Sequence, residues 1–468
     1  MLAPGLSPAQ DALTLNEVLA SSQARFPAIR RSIAQREARS GSLEAARGAF
    51  DLQLSAESSS RASGFYDGNS LRGKAKQQLR SLGASVYSEY RVSEGDFPIY
   101  EDESFTNTGG TLKAGLNLPL LRDRAIDKAR FGEIDSSLSL LAADYSLLLT
   151  QVQVQRDAAI AYWNWVAKGR QLKVYEDLLE LAYERQTALK AQIDRGALAP
   201  IYLTENRQNL LRRQSFVEAA RRDFITAGND LSFFLRSVDG EPRPVSVSIL
   251  PAYQPLERFA SPNLEADQTW QRIREQRPEL LLQTLTVERL QQKLQLRRNA
   301  LLPELDFKLE VADGLGAVAE GGNSRDSTDT VIGMSFSVPL QLREARGRVR
   351  EGEAELQAAL LDLQQTEDQL RLDLRNILQE LQAAEKLYEL AADEVEQART
   401  LRLAEVRRFE SGASDFFVVN LREETAANAQ VRYHDAAMRA RTARTHYDAA
   451  TVNLVELGLS PETLTRPR

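Results

Sequence analysis

His434 and His446 are the only histidines in a chain of 468 residues that contains no cysteine. Twelve residues apart on a helix, they point about 120° away from each other and do not converge on a metal. The lack of cysteine excludes disulfides, thiolate metal sites, a cysteine nucleophile and a lipid-modified cysteine on the chain as given. GLGAVAEGG, from Gly314, has the glycines of a dinucleotide loop only in part: the third is absent at the required spacing and no helix follows. Trp163 and Trp165 are two apart and cannot share a helical face. The many Glu and Arg of the helical stretches read as solvated faces with i, i+4 pairs. No constellation supports catalysis. The expectation is a protein that is not an enzyme, with no catalytic, cofactor-binding or metal site.

Composition narrows the classes further. Apolar residues make up 43% of the chain and charged residues 27%. That mix suits long helices with little interior per residue. A net charge of −7, with no basic block, argues against nucleic acid as a partner. No run of 18 apolar residues exists, so no membrane-spanning helix is expected. The N-terminus, MLAPGLSPAQDALTLNEV, lacks a basic segment followed by an apolar core. Two expectations stay open: a cytosolic protein, or one whose signal peptide has been removed.

The elements that would position any site come in two copies. Pro27 and Pro278, Phe50 and Leu305, Pro119 and Pro339, and Gly196 and Gly412 are paired landmarks, 251, 255, 220 and 216 residues apart. The copies differ mainly in the stretch from strand start to second proline, 69 residues against 34. Such a duplication sets the architecture. The first repeat covers 12–235, with a strand insert at about 50–121, a long helix at about 124–195 and a tip at 196–200. A connector with five prolines spans 236–263. The second repeat covers 264–458, with a helix from about Leu264 to Leu302, a strand insert at about 304–340, a long helix at about 343–411, a tip at 412–415 and a last helix from about Asp415 to Leu457. Residues 1–11 read as disordered.

Within each insert the apolar period is two. Phe50, Leu52, Leu54 and Ala56 alternate with polar residues, as do Leu112, Ala114, Leu116 and Leu118, and Leu305, Phe307, Leu309 and Val311. Ala84, Val86 and Tyr90 mark a further run, which could add a hairpin in or outside a membrane. Phe65, Tyr66, Phe97, Tyr100 and Phe105 could form an interfacial belt or simply anchor loops. At about 1.5 Å per residue, the stretches 124–195 and 343–411 would span about 100 Å each. Steps of four and three from Leu356 reach Arg402 with apolar or aromatic residues at twelve of fourteen positions, a sustained coiled-coil seam. Strands of about ten residues, apolar on one face, have the length to cross a bilayer at a tilt. Four strands cannot close a barrel and open edges are not tolerated in lipid, so closure requires several chains. Three chains of four strands would give twelve.

The order and duplication of these segments resemble the outer-membrane efflux protein family, the TolC-like channels, over about residues 13–458. LTLNEVLASSQARFPAI, LPLLRDRAIDKAR, AYWNWVA and the two turns DRGALAPIYLTENRQ and RRFESGASDFFVVNLREE carry the likeness. The resemblance implies an α+β membrane protein of two tandem repeats. Long coiled-coil helices would form a periplasmic tunnel, and strands would contribute to an oligomeric outer-membrane β-barrel. It implies a homotrimer in outer-membrane lipid that docks on a periplasmic membrane-fusion adaptor protein, and through it serves an inner-membrane transporter. The function implied is that of a passive exit duct of a tripartite efflux pump or type I secretion system. The alternative is a soluble periplasmic coiled-coil scaffold or adaptor.

The family's docking tips map onto Gly196, Ala197 and Leu198, and onto Gly412, Ala413 and Ser414. Small residues there would let adaptor hairpins approach closely, or they could be plain helix-ending turns. Some members close the tunnel with aspartate rings after the second tip. Here that stretch, Phe416–Leu421, has no acid. Asp415 is the nearest candidate for a ring, with a helix cap as its other reading. If it is a cap, Phe416, Phe417 or Val418 would form a hydrophobic gate.

Overall fold

The computed structural model describes residues 12–98, 105–196, 199–252, 265–318 and 327–460. Residues 1–11, Tyr100, much of the loop after Gly314 and the end of the connector lie outside them.

Two short helices open the chain, α1 (Leu15–Arg25) and α2 (Pro27–Arg47). Thr14 caps α1 in a full capping box: its hydroxyl accepts from the Glu17 N–H, and the Glu17 carboxylate accepts from the Thr14 N–H at 2.8 Å. Pro27 sits at the first position of α2, where its missing N–H costs nothing. Four strands follow: β1 (Gln53–Ser60), β2 (Asn69–Gln78), β3 (Ser85–Glu94) and β4 (Thr111–Pro119). Then come the 67-residue α3 (Lys128–Asp194) and α4 (Ile201–Phe234). The order recurs as α5 (Ala266–Ile273), α6 (Pro278–Asn299), β5 (Glu304–Gly314), β6 (Asp329–Ser337), the 68-residue α7 (Arg343–Glu410) and α8 (Phe416–Ala450).

Three expectations change in detail. Phe50 does not begin a strand; it is buried in a 3-10 turn, Gly48–Phe50, and β1 starts at Gln53. The helix expected from Leu264 to Leu302 is broken at Arg274–Arg277, because Pro278 can start a helix but not continue one. The last helix stops at Ala450 rather than Leu457. Val452 takes a left-handed φ of 53°, and Leu454, Leu457 and Leu459 fold back as buried residues. The hairpin that the further alternating run could add is present as β2–β3, which makes six strands among the described residues.

The chain divides into two compact units that cut across the repeats. The first gathers residues up to Ala34, Tyr145–Leu281 and those from Thr366 on. Its core joins Val18 and Leu19 of α1 to Ala158, Tyr162 and Trp165 of α3 and Phe224 and Leu231 of α4. Trp165 is fully buried and stacks on Phe224 with ring centroids 6.0 Å apart. Burial of such a side chain contributes about 2–3 kcal/mol. The buried amide of Gln155 is satisfied from both ends: it accepts from Ser22 Oγ at 2.7 Å and donates to the Leu19 carbonyl at 2.9 Å. The connector joins the same core, where the Ile249 carbonyl accepts from the Leu13 N–H.

The second unit comprises Gln35–Asp144 and Leu282–Gln365. It holds one antiparallel sheet in the order β1-β2-β3-β4-β5-β6. Ion pairs join helical segments within it: Arg36 to Asp144 at 2.5 Å, Arg289 to Asp135 at 2.8 Å, and Lys293 and Arg297 to Glu355 at 3.2 and 3.3 Å. The turn that leads from β4 into α3 is fixed to the end of α6 by a reciprocal pair. The Asp123 N–H donates to Asn299 Oδ1, and Asn299 Nδ2 donates to Asp123 Oδ1 at 2.7 Å.

Candidate functional site: a two-faced sheet and two helical turns

Alternation along each strand is kept in phase across all six by the register. Leu116 pairs with Val86 on one side and Leu309 on the other, and Leu309 pairs with Ile332. Leu118, Phe307 and Met334 form the next row, and Leu305 faces Phe336. This apolar face is open: Ile332, Met334 and Phe336 are about two-thirds exposed and Leu54 is 77% exposed. An apolar sheet face this exposed requires a non-aqueous neighbour or a partner.

The opposite face carries the charges and is the better covered one. Arg72 bridges Glu57 at 3.5 Å and Glu89 at 3.4 Å, linking β1, β2 and β3. Lys74 stands 5.0 Å over the Tyr87 ring. The Tyr87 hydroxyl donates to Glu310, which also takes Lys113 at 3.7 Å and Lys308 at 3.0 Å. A ladder of charge thus crosses β1 to β5. Sequence reading found the alternation but missed this ladder. Its signal was present in Asp306, Lys308 and Glu310 alternating with apolar residues, while the cross-strand partners depend on register. One face of the sheet is thus apolar and exposed and the other ionic and better covered, the inverse of a soluble sheet packed on a core.

The aromatics divide. Phe97 is buried, 5.3 Å from Phe105, and lies so close to Gly68 that a Cβ there would be 2.5 Å from its ring. It anchors a loop. Phe65 is almost wholly exposed, beside Tyr66.

The helical turns end α3 and α7 in the same way. Gly196 and Gly412 adopt φ of 72° and 76°, a region costly for residues with a Cβ. The Gly412 N–H reaches the Phe409 carbonyl and the Ala413 N–H reaches that of Arg408, the pair of bonds that defines a Schellman cap. Gly196 makes the first of these to Ile193. Nothing lies within 4 Å of either glycine's missing Cβ. Ala197 and Leu198 lie outside the described residues. Ser414 donates to the buried Glu405, which fixes the turn against α7. Asp415 is the N-cap of α8, its carboxylate accepting from the Phe417 N–H at 3.0 Å.

The gate candidates part company. Phe416 is 2% exposed, packed against Tyr202 and Phe409 and under the Arg185 guanidinium. Phe417 is 65% exposed and Val418 half-buried. Phe416 therefore holds the turn together inside the chain, and of the three only Phe417 and Val418 reach the surface.

Behind Phe416 lies a buried ionic cluster that sequence reading also missed. Arg185 of α3 and Arg213 of α4 both bind Glu423 of α8, Arg213 at 3.0 Å, and Arg185 also donates to Asn420 at 2.9 Å. Burial pushes the Glu423 carboxyl upward, but hydrogen bonds and charge from Arg185 and Arg213 outweigh it and hold it below the usual range. Nothing in the spacing of these residues marks them, since they come from three helices. His434 lies elsewhere in the same unit. Burial, then the Arg170 charge, push its imidazole down to about 4 against the opposing pull of Asp435. Among the described residues no three His, Cys, Asp or Glu side chains gather to hold a metal, and no helix is long and apolar enough to cross a membrane.

Residues 269–457 match the family model described as outer membrane efflux protein. No curated protein matches the chain in sequence. Solved structures match along nearly its whole length. The outer-membrane channel OprN is 17% identical, with a TM-score of 0.66 over 93% of this chain and 89% of its own. The CmeC outer membrane channel of Campylobacter jejuni is 15% identical, with a TM-score of 0.64 over 98% and 95%. The MtrE outer membrane channel of Neisseria gonorrhoeae, solved in an open state, is 14% identical, with a TM-score of 0.63 over 96% and 95%. At these identities the likeness establishes the fold, mostly helical with a sheet that is open in the single chain. The chain thus resembles outer membrane efflux proteins in sequence over residues 269–457, and over almost its whole length it shares the fold of solved outer-membrane channels.

Proposed function

We propose that copies of this chain assemble as a homotrimer into an outer-membrane exit channel. It conducts substrates passively, as the outer part of a tripartite efflux pump or type I secretion system. The observation that carries this reading is the inverted sheet: an exposed apolar face, an ionic opposite face and two unpaired edges, attached to helices of about 100 Å. The two repeats, 12–235 and 264–458 with connector 236–263, would each supply strands to the wall and a helical hairpin to a periplasmic tunnel. The solved relatives of like fold are outer-membrane channels, which supports the same location here.

The turns at Gly196–Leu198 and Gly412–Ser414 would meet a periplasmic adaptor protein, and through it an inner-membrane transporter. Their open glycines leave room for close helical approach. Phe417 and Val418, with Asp415 beside them, would narrow the passage next to the second turn.

The test is conductance of the purified, detergent-solubilised protein across a planar lipid bilayer. Uniform, long-lived steps support the channel. A protein that stays in water and never inserts points instead to a soluble scaffold or adaptor.

A further inference from the structure

We propose that all six strands of each chain stand in the membrane wall, so that three chains close a barrel of eighteen strands by pairing β6 of one copy with β1 of the next. The proposal rests on the trimeric channel above and concerns what its wall is made of. Four strands per chain would have sufficed for a barrel of twelve. The hairpin β2–β3 is the addition, and four observations put it in the wall rather than beside it.

The ladder is unbroken. β1 pairs with β2 over eight positions and β3 with β4 over seven, and no described residue of β1 pairs with β4. Setting the hairpin aside would break both ladders and leave their backbone groups without partners in lipid, at several kcal/mol each.

The two faces continue through the hairpin in phase. Val86 and Tyr90 extend the exposed apolar face, pairing with Leu116 and Leu112. Arg72 and Tyr87 extend the ionic face, and Arg72 is the residue that links β1 to β3. A hairpin lying outside the wall would have no use for this alternation.

The connections differ in length as the two ends of a membrane barrel do. β2 and β3 are joined by residues 79–84 alone, and this turn lies at the end of the sheet where β4 leads into α3, with Gly83 against Asp123 and Arg130. At the other end the connections are 61–68, 95–110 and 315–328. Short turns on the periplasmic side and longer loops outside are the rule for such barrels.

The edges fit each other. With six strands in a meander, β6 of one copy runs opposite to β1 of the next, so closure is antiparallel at every joint. β1 has eight residues and β6 nine, and neither contains the Pro or Lys that guards a free edge. Six strands are too few to close alone, since the smallest membrane barrels have about eight.

The consequence is the bore. Barrel diameter grows nearly linearly with strand number, so eighteen strands give a ring about 1.5 times as wide as twelve. With strands about 4.8 Å apart and tilted about 45°, the backbone diameter is about 38 Å rather than about 26 Å. At that width side chains do not fill the interior, and the charge ladder from Glu57 to Glu310 lines open water. The outer-membrane section would then not be the narrowest part of the duct.

The experiment is electron cryomicroscopy of the full-length protein in lipid nanodiscs, reading ring diameter and strand count in the membrane slab. A threefold ring of about 38 Å with the β2–β3 hairpin in its wall is expected. A threefold ring of about 26 Å, with the hairpin outside, overturns the inference while leaving the channel intact. A protein that never enters a nanodisc overturns the channel reading itself, and this inference with it.

Discussion

Tyr87 on β3 lies over Gly115 on β4, so close that a Cβ at Gly115 would stand 2.4 Å from the Tyr87 ring. The ring crosses one strand to deliver its hydroxyl to Glu310 on the next. Glycine is present here because a neighbour's side chain occupies the space of its own. Replacing Gly115 with Ala is expected to displace Tyr87 and cost about 1–3 kcal/mol, as over-packing does. Heat-induced unfolding in detergent checks this. Tyr87→Phe, which keeps the ring and loses the hydrogen bond, should be milder, and equal losses in the two variants would contradict the steric account.

Gly83 and Gly412 both have left-handed backbones, with φ of 68° and 76°, but different surroundings. A Cβ at Gly83 would be 2.2 Å from the Asp123 carbonyl, whereas one at Gly412 would meet nothing. Gly412→Ala should cost only the backbone term, about 1–2 kcal/mol. Gly83→Ala adds a clash with backbone and should cost about 2–4 kcal/mol. Melting temperatures of the two variants rank them.

Glu423 takes two arginines in a buried site. Glu423→Gln leaves both cations without their carboxylate and should destabilise by about 3–5 kcal/mol. Because its folded pKa lies below the unfolded value near 4.3, its contribution is complete above that value and lost as pH falls through the lowered pKa. Unfolding measured from pH 7 to pH 3 should show this acid loss in the parent chain and a smaller one in Glu423→Gln.

His434 acts in a different window. Its folded pKa of about 4 lies below the ordinary 6.5, so the unfolded chain binds the proton first. Stability should be full above pH 6.5 and fall by up to about 3 kcal/mol as pH drops toward 4. His434→Gln should flatten the dependence between pH 4 and 6.5. A slope there unchanged by the substitution would assign it to other groups.

Phe416 and Phe417 are neighbours with opposite exposure, one buried and one at the surface. Phe416→Ala empties a packed site and should cost about 3–5 kcal/mol in stability. Phe417→Ala should leave stability within about 0.5 kcal/mol, as exposed substitutions do, and raise single-channel conductance. Conductance unchanged by Phe417→Ala and by a Val418→Ala partner variant would remove these residues from the gate.

Much of the architecture was legible because it depends on local periodicity. The period of two around Leu112 and Leu305 and the long runs free of proline are properties of neighbouring residues. They set element type and length without reference to distant parts of the chain, and the recurrence of the same local landmarks, from Pro27 to Gly412, shows the repeated order. Helix ends were read less well where a break needs geometry: Pro278 began a new helix and Val452 ended α8 early.

What the sequence could not supply were relationships between residues far apart in the chain. That β2 and β3 enter the same sheet is decided by register, which sets Arg72 opposite Glu57 and within reach of Glu89 on the diagonal, and sets Tyr87 over Gly115 toward Glu310. That Phe416 is core and Phe417 surface is decided by Tyr202, Phe409 and Arg185, which come from three other helices. Alternation and heptads tell each residue which face it occupies. Only tertiary packing tells that face what it meets, because the energy of a buried charge or a packed ring depends on partners that sequence distance does not reveal.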